Sequence, residues 1–223
     1  MSSTRLAALL SFGLFLAAGA QAEKIRNHFD SDAAMRPPGF FDAVVWGGRG
    51  DAEWRVIADT NPPSAPNRLI QILDARPAGS IAAALRRNYV FQDGRISSGL
   101  RRGAGLGGLV LRAKGEKDFI VLLLDMTSGE ARLSSYRDGK PTELARGTAK
   151  MDHEWGVLSL DAAGPSITAR WNGEPLLRAT DPRPVSGRSG LATAGPGAVS
   201  FDEFVLEPVG GTSPTSVVSS PKS

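Results

Sequence analysis

The chain predicts an all-β fold, a two-sheet antiparallel sandwich, and three observations carry that expectation. Between Glu23 and Pro208, short apolar runs are broken by turn chemistry every 8–15 residues, the rhythm of strands in a sandwich or barrel. Asp138-Gly139 and Asn172-Gly173 are two-residue hairpin signals, because a type I′ turn needs positive φ at both central positions. The third is the closing stretch from Gly187 to Pro208, GRSGLATAGPGAVSFDEFVLEP, which reads as two strands joined by a Gly/Pro turn.

Taken in order, the first strands are expected over Trp54–Asp59, Arg68–Leu73 and Ser80–Arg87. Within the last of these, Ile81-Ala82-Ala83-Ala84-Leu85 has a helix-friendly composition. It is assigned as a strand because turns flank it in a β context, with a single helical turn as the alternative. Asp93-Gly94 reverses the chain into Arg95–Arg101, followed by Gly107–Arg112 and Phe119–Asp125. Phe119-Ile120-Val121-Leu122-Leu123-Leu124 is apolar on both sides, which predicts a central strand covered twice. Ser128-Gly129 turns into Ala131–Tyr136, and Asp138-Gly139 into Glu143–Thr148. Gly156–Asp161 and Ser166–Trp171 follow, then Leu176–Thr180 beyond Asn172-Gly173, and finally Ser189–Thr193 and Val199–Glu207. Arg132-Leu133-Ser134-Ser135-Tyr136 and Ser166-Ile167-Thr168-Ala169-Arg170-Trp171 alternate with period two, as in sheets with one wet face.

Met1 to Ala22 reads as a secretory signal. One charge, Arg5, precedes an apolar run from Leu6 to Ala18 and small residues ending Ala20-Gln21-Ala22. The run is shorter than the ~20 residues a bilayer span needs, so the mature chain is expected to carry no membrane span. A periplasmic or secreted destination follows. Removing these 22 of 223 residues takes only Arg5 from the charge balance, so 26 Lys+Arg become 25 against 23 Asp+Glu. That near-neutral balance, with Arg86-Arg87 and Arg101-Arg102 as its densest basic spots, argues against nucleic acid as a partner. Cysteine is absent, which excludes a lipidated cysteine, thiolate chemistry and a cysteine zinc site. One domain is expected over residues 23–208, with a disordered Ser/Pro-rich tail over 209–223.

Several motifs together carry a resemblance. They are Gly50-Asp51-Ala52-Glu53-Trp54-Arg55-Val56 with Asp59, then Pro63-Ser64-Ala65-Pro66-Asn67-Arg68-Leu69. Gly107-Gly108-Leu109-Val110-Leu111-Arg112-Ala113-Lys114 with Asp118-Phe119, Trp155, Asn172-Gly173, and Gly190-Leu191 with Phe201-Asp202 complete the set. Their order resembles a bacterial exported laminin-G-like and concanavalin-A-like jelly-roll family. That family is related to the 3-keto-disaccharide hydrolase domain and often described as family 16 glycoside hydrolase-like. The resemblance spans nearly the whole mature domain and implies a jelly roll, with glycan binding or glycosidic-bond hydrolysis as its function. The family usually places aromatic, Arg and Asn residues where this chain has Phe119 to Asp125, and often Trp where it has Ala192. Those departures thin out the polar and aromatic groups that could hold a sugar, which weighs against sugar binding and, more heavily, against hydrolysis. The expected function is a non-catalytic module binding glycan or envelope polymer, with hydrolysis and a structural protein-binding role as alternatives.

No catalytic residue is nominated. The laminarinase-type string E-x-D-x-x-E is absent. Asp152 and Glu154, two apart, are expected in a solvated turn, and the adjacent Asp202 and Glu203 on opposite strand faces. The residues expected to meet a ligand are Trp46, in a loop with Gly47-Gly48, together with Arg112, Asp125 and Arg132 across the Ser128-Gly129 turn. The competing reading of the latter three is a cross-strand ion pair plus an arginine on a rim. Trp54, Trp155 and Trp171 are expected in core or edge packing. His28 and His153 are not at metal spacing, and no cofactor is called for. Asp202 is expected to share a face with Phe204 and Leu206 and to need a partner. A structural calcium with oxygens near Asp30 or Asp32 is one option. A hydrogen-bonded or Arg-paired carboxylate pinning the N-terminal loop is the other, favoured because no dense Asp/Asn loop is present.

Overall fold

The computed structural model describes residues 23–48, 52–72 and 79–209. The predicted signal and the tail beyond Val209 lie outside the described residues. Fifteen strands are present in that part: β1 Ile25–Asn27, β2 Phe41–Trp46, β3 Trp54–Ala58, β4 Asn67–Gln71, β5 Ile81–Arg86, β6 Gly94–Arg101, β7 Leu106–Gly115, β8 Asp118–Asp125, β9 Glu130–Arg137, β10 Lys140–Thr148, β11 Trp155–Ala163, β12 Ser166–Trp171, β13 Glu174–Thr180, β14 Arg188–Ala194 and β15 Val199–Pro208. No helix among the described residues is long and apolar enough to cross a membrane.

The strands form two antiparallel sheets. One runs β13-β12-β11-β6-β15-β4-β3, with β1 lying beside the second half of β15. The other runs β10-β9-β8-β7-β14-β5-β2. Strand alternation sends Ile96, Leu100, Leu158, Leu160 and Phe201 from the first sheet inward against Leu109, Leu111, Ile120, Leu122 and Leu133 from the second. The expected hairpin turns form as their chemistry requires: φ is 53° and 77° at Asp138-Gly139, and 51° and 84° at Asn172-Gly173. Strand β5 is a strand rather than a helical turn. Its Ala82 and Ala84 face the core and Ile81, Ala83 and Leu85 the opposite side.

Three local features depart from the sequence expectation. Trp46 ends β2 instead of sitting in a loop, and its indole is 5% exposed. Arg112 occupies a bulge with φ of 57°, where the register of β7 slips against both β8 and β14. Backbone packing there is tight enough that a Cβ on Gly187 would lie 2.3 Å from the Arg112 carbonyl carbon, so the residue just before β14 needs to be a glycine.

The third is a bulge at Glu203, with φ of 50°, which inserts one residue between the pairs Asp202↔Gly99 and Val205↔Ser97. Phe201, Phe204 and Leu206 therefore enter the core, while Asp202 points to the outer side of the first sheet, away from the face predicted for it. It is fully buried there under the β3–β4 loop. Its oxygens accept the Ser64 N–H at 2.7 Å, the Ser64 hydroxyl at 2.9 Å and the Glu203 N–H at 2.7 Å. Ser64 Oγ also lies 3.3 Å from the His28 carbonyl oxygen, so the carboxylate fastens the N-terminal segment through that loop. Burial pushes the Asp202 carboxyl above its ordinary range despite these hydrogen bonds.

Candidate functional site

The outer side of the β10-to-β2 sheet is where the molecule becomes concave. Every second residue faces outward: Val44 and Trp46 on β2, Ala83 on β5, Ala192 on β14, Val110 on β7, Phe119 and Val121 on β8, and Tyr136 on β9. Strands β2 and β8 are four spacings apart, about 19 Å along a flat sheet. Yet the Trp46 and Phe119 rings stack with centroids 4.1 Å apart, and Phe119 stacks on Tyr136 at 4.3 Å. Only a strongly curled sheet allows this. Small residues permit the curl, since Gly190, Ala192 and Gly108 occupy adjacent outward positions on β14 and β7.

Beside this aromatic stack lies an open cleft of about 600 Å³. Its walls include Ile81, Leu106, Val121 and Leu123, with Tyr136 at one end and Arg132 and Glu143 at the rim. A smaller hollow of about 140 Å³ adjoins it between Trp46 and the β7–β8 turn, with Gly79, Ile81 and Tyr136 bordering both. The surface is thus mostly apolar with a few polar groups at its edge, the usual make-up of a ligand cleft. Burial pushes the Tyr136 hydroxyl up, so it stays protonated at neutral pH.

The rim is a charge network. Arg132 pairs with Glu130 at 3.2 Å and Glu143 at 3.3 Å, and Arg146 pairs with the same two carboxylates at 3.1 and 2.5 Å. The hydrogen bond from Arg146 holds the Glu143 carboxyl below its ordinary range. Such a group is a fixed anion rather than a proton donor. A general acid at a glycosidic bond needs the reverse, a carboxyl whose pKa is raised.

Neither a family model nor a curated protein matches the chain. Solved structures do. A Bacillus subtilis protein of unknown function with a galectin-like fold aligns with a TM-score of 0.56 at 16% identity, over 85% of this chain and 98% of that one. The carbohydrate-binding module CBM66 from Bacillus subtilis aligns at 0.53 and 17% identity, over 69% and 94%. A prokaryotic β-1,3-1,4-glucanase (lichenase) from a mouse hindgut metagenome aligns at 0.52 and 16% identity, over 83% and 99%. The fold is a concanavalin-A-like jelly roll. At these identities the likeness is one of architecture.

Within the jelly roll the four residues singled out by sequence separate. Trp46 and Arg132 both lie on the concave face, Trp46 in the aromatic stack and Arg132 on the cleft rim. Asp125 ends β8 with Oδ1 accepting the Thr127 and Ser128 N–H groups at 2.8 and 3.1 Å, which holds its carboxyl below the ordinary range. It caps a turn. Arg132 stands opposite Leu123, and its carboxylate partners are Glu130 and Glu143 instead of Asp125.

Arg112 is the clear departure. Its side chain is 0% exposed and donates to the Gln92 carbonyl at 3.0 Å, Asp181 at 2.9 Å, Asp93 at 3.2 Å and the Gly164 carbonyl at 2.6 Å. Asp181, equally buried, also accepts from Arg137 at 2.9 Å. Arg112 therefore ties the β7 bulge to two loops inside the protein, closed to any ligand. Asp152 and Glu154 do not act together either, since Lys150 pairs with the first and Arg101 with the second. Among the described residues no group of His, Cys, Asp and Glu is arranged to hold a metal.

The alternation in Arg132-Leu133-Ser134-Ser135-Tyr136 already put Arg132, Ser134 and Tyr136 on one face. The missing information was long-range: which strands flank β8, and how far the sheet curls.

Proposed function

We propose that this protein is an exported, non-catalytic jelly-roll module whose concave face binds a glycan or another polymer of the cell envelope. The observation that carries this is the open cleft on the curled sheet, with apolar walls, Tyr136 at one end and the Arg132–Glu143 pair at the rim. Apolar walls take the C–H faces of a sugar ring, and the rim groups offer donors and acceptors to its hydroxyls. The cleft is open rather than enclosed, which suits a chain passing through. Against catalysis stands the pairing of both rim carboxylates with arginines, and the retention of charge on Glu143. The carboxyl that is pushed up, Asp202, lies on the other sheet beneath a loop. The kinship with the 3-keto-disaccharide hydrolase domain and the secretory signal ending at Ala22 belong to the same proposal.

The test is a melting-temperature screen of the mature chain against soluble glucans, galactans, fructans and peptidoglycan fragments, with release of reducing ends measured in parallel. A saturable shift with one class, weakened by Arg132→Ala and Tyr136→Ala, is expected; a ligand at 100 times its dissociation constant adds about 2.7 kcal/mol. A flat panel at millimolar ligand overturns the binding assignment. Reducing-end release above the buffer rate overturns the non-catalytic one. Recovery of an extracytoplasmic protein beginning at Glu23 is the expected outcome for export.

A further inference from the structure

The opposite side of the molecule carries a second, chemically different surface. On the outer side of the β13-to-β3 sheet, strands β6, β11, β12 and β13 present short polar side chains and arginines, while Ile96, Leu158, Leu160 and Ala169 go to the core. Register places Ser159 between Ser97 on β6 and Arg170 on β12. One step along, Asp161 lies between Arg95 and Thr168, and Thr168 is opposite Arg178. Arg95, Ser97, Val157, Ser159, Arg170 and Gly173 line a groove of about 390 Å³. Val157, 49% exposed, forms one wall.

Charge in this groove is unbalanced. Asp161 is the single carboxylate between its two arginines, accepting from Arg95 at 2.5 and 3.1 Å and from Arg170 Nε at 3.4 Å. Beyond this contact with Asp161, the Arg170 side chain makes no hydrogen bond and no other ion pair among the described residues. Arg178, exposed on the next strand, has no ion pair there at all. The other carboxylate in register, Glu207 opposite Arg95, pairs with Lys24 and also favours the Arg95 charge. On the floor, the hydroxyls of Ser97 and Ser159 face one another across the β6–β11 pair with no hydrogen-bond partner among the described residues. Two hydroxyl donors below and a guanidinium on each flank, in net positive surroundings, match the oxygens of a tetrahedral anion.

We propose that this groove binds a sulfate or phosphate group carried on a glycan, with Arg170 and Arg95 pairing to the anion and Ser97 and Ser159 donating to it from the floor. The groove lies across the full thickness of the sandwich from the concave cleft. Its failure and the failure of the cleft as a binding site are therefore separate events.

Calorimetric titration of the mature chain with sodium sulfate and sodium phosphate, against sodium chloride at matched ionic strength, tests the proposal. Saturable binding of at least one tetrahedral anion is expected. Arg170→Gln should weaken it about tenfold, as loss of a charge-assisted hydrogen-bond pair does, and Ser159→Ala by a smaller factor. Arg102→Gln, which removes an exposed charge beyond the end of β6, should leave it unchanged. Dextran sulfate and a phosphorylated dextran, compared with dextran itself, assign the source of the anion. Absence of saturation with both anions overturns the proposal. So does equal weakening by Arg102→Gln and Arg170→Gln, which would mean a diffuse field, and so does binding indifferent to Arg170→Gln and Ser159→Ala.

Discussion

Replacing Arg112 by Met is the most informative perturbation of the fold. The guanidinium is completely buried and satisfies a carboxylate, Asp181, that is itself completely buried. Removing one member of a buried pair costs about 3–5 kcal/mol, because the other charge stays behind. Here Arg137 still donates to Asp181 at 2.9 Å, and so does the Arg183 N–H at 3.1 Å, which limits the penalty on the carboxylate. Against that, the Gln92 and Gly164 carbonyls both lose a donor, at roughly 1–3 kcal/mol for each left unsatisfied. A loss of about 3–5 kcal/mol is therefore expected, a drop in Tm of roughly 6–20 °C for a chain of this size. The effect depends on pH with a definite sign. Burial works against the Asp181 charge, but hydrogen bonds from the Arg183 N–H, Arg137 and Arg112 outweigh it and hold the folded pKa below the ordinary value. Stability from that carboxylate is thus present above about pH 3.9 and disappears as pH falls through the lower folded value. The difference between wild type and Arg112→Met, measured by urea unfolding from pH 3 to 7, should be largest near neutrality and shrink in acid. A variant within about 1 kcal/mol of wild type that nonetheless loses a bound ligand would refute the structural role and return Arg112 to the binding surface.

Trp46→Ala removes the indole that joins β2 to β8 through Phe119. It should cost about 3–5 kcal/mol in chemical unfolding, as deletion of a buried Trp does, and weaken whatever ligand the cleft takes. A loss under about 1 kcal/mol would show that the curl does not depend on the stack. Asp202 runs opposite in pH to Asp181. Its folded pKa is raised by burial, so its contribution is complete below about pH 3.9 and lost as pH rises through the folded value. The stability deficit of Asp202→Asn should shrink from pH 3.5 toward pH 6, and a deficit that grows over that range would mean that the Ser64 and Glu203 donors dominate.

How much of this was legible in the chain depended on whether the information was local. The central strand at Phe119 to Leu124 was legible from its apolar run, with Ile120 and Leu122 in the core and Phe119 and Val121 in the outer cluster. Its second face is covered only in part, since Val121 and Leu123 line the open cleft. The two hairpins were legible from Asp138-Gly139 and Asn172-Gly173. Strand β1 was not, since three residues, Ile25–Asn27, have no periodicity to read and are held by pairing to Phe204, Val205 and Leu206. Strand β2 was obscured because Asp42 interrupts the apolar run between Phe41 and Val44, Val45 and Trp46. The two bulges defeated alternation outright. Arg112 and Glu203 adopt positive φ without being glycine, so no turn residue marks the point where each strand changes face. That is why Asp202 was expected beside Phe204, and Arg112 on a rim. The cleft required knowledge of strand order, which brings Trp46 to Phe119 from 73 positions away in the chain.

The same strand order decides how rigid the cleft is. Apart from Gly79, Gly195 and Pro196, its lining residues belong to strands, and several of them, Ile81 and Val121 among them, belong to the packed cluster that includes Trp46 and Phe119. A cleft built this way is shaped before a ligand arrives, so little ordering cost falls on binding. The rim is different. Arg132 and Glu143 are exposed, and ion pairs of that kind contribute little to folding. Substitutions should therefore fall into two classes on this one face. Trp46→Ala should move both stability and affinity, because the wall and the fold share that side chain. Arg132→Ala should move affinity while leaving the unfolding transition nearly in place. If Arg132→Ala instead destabilised the fold as much as Trp46→Ala, the rim network would be a structural clamp and the cleft would lose its polar contact to a ligand.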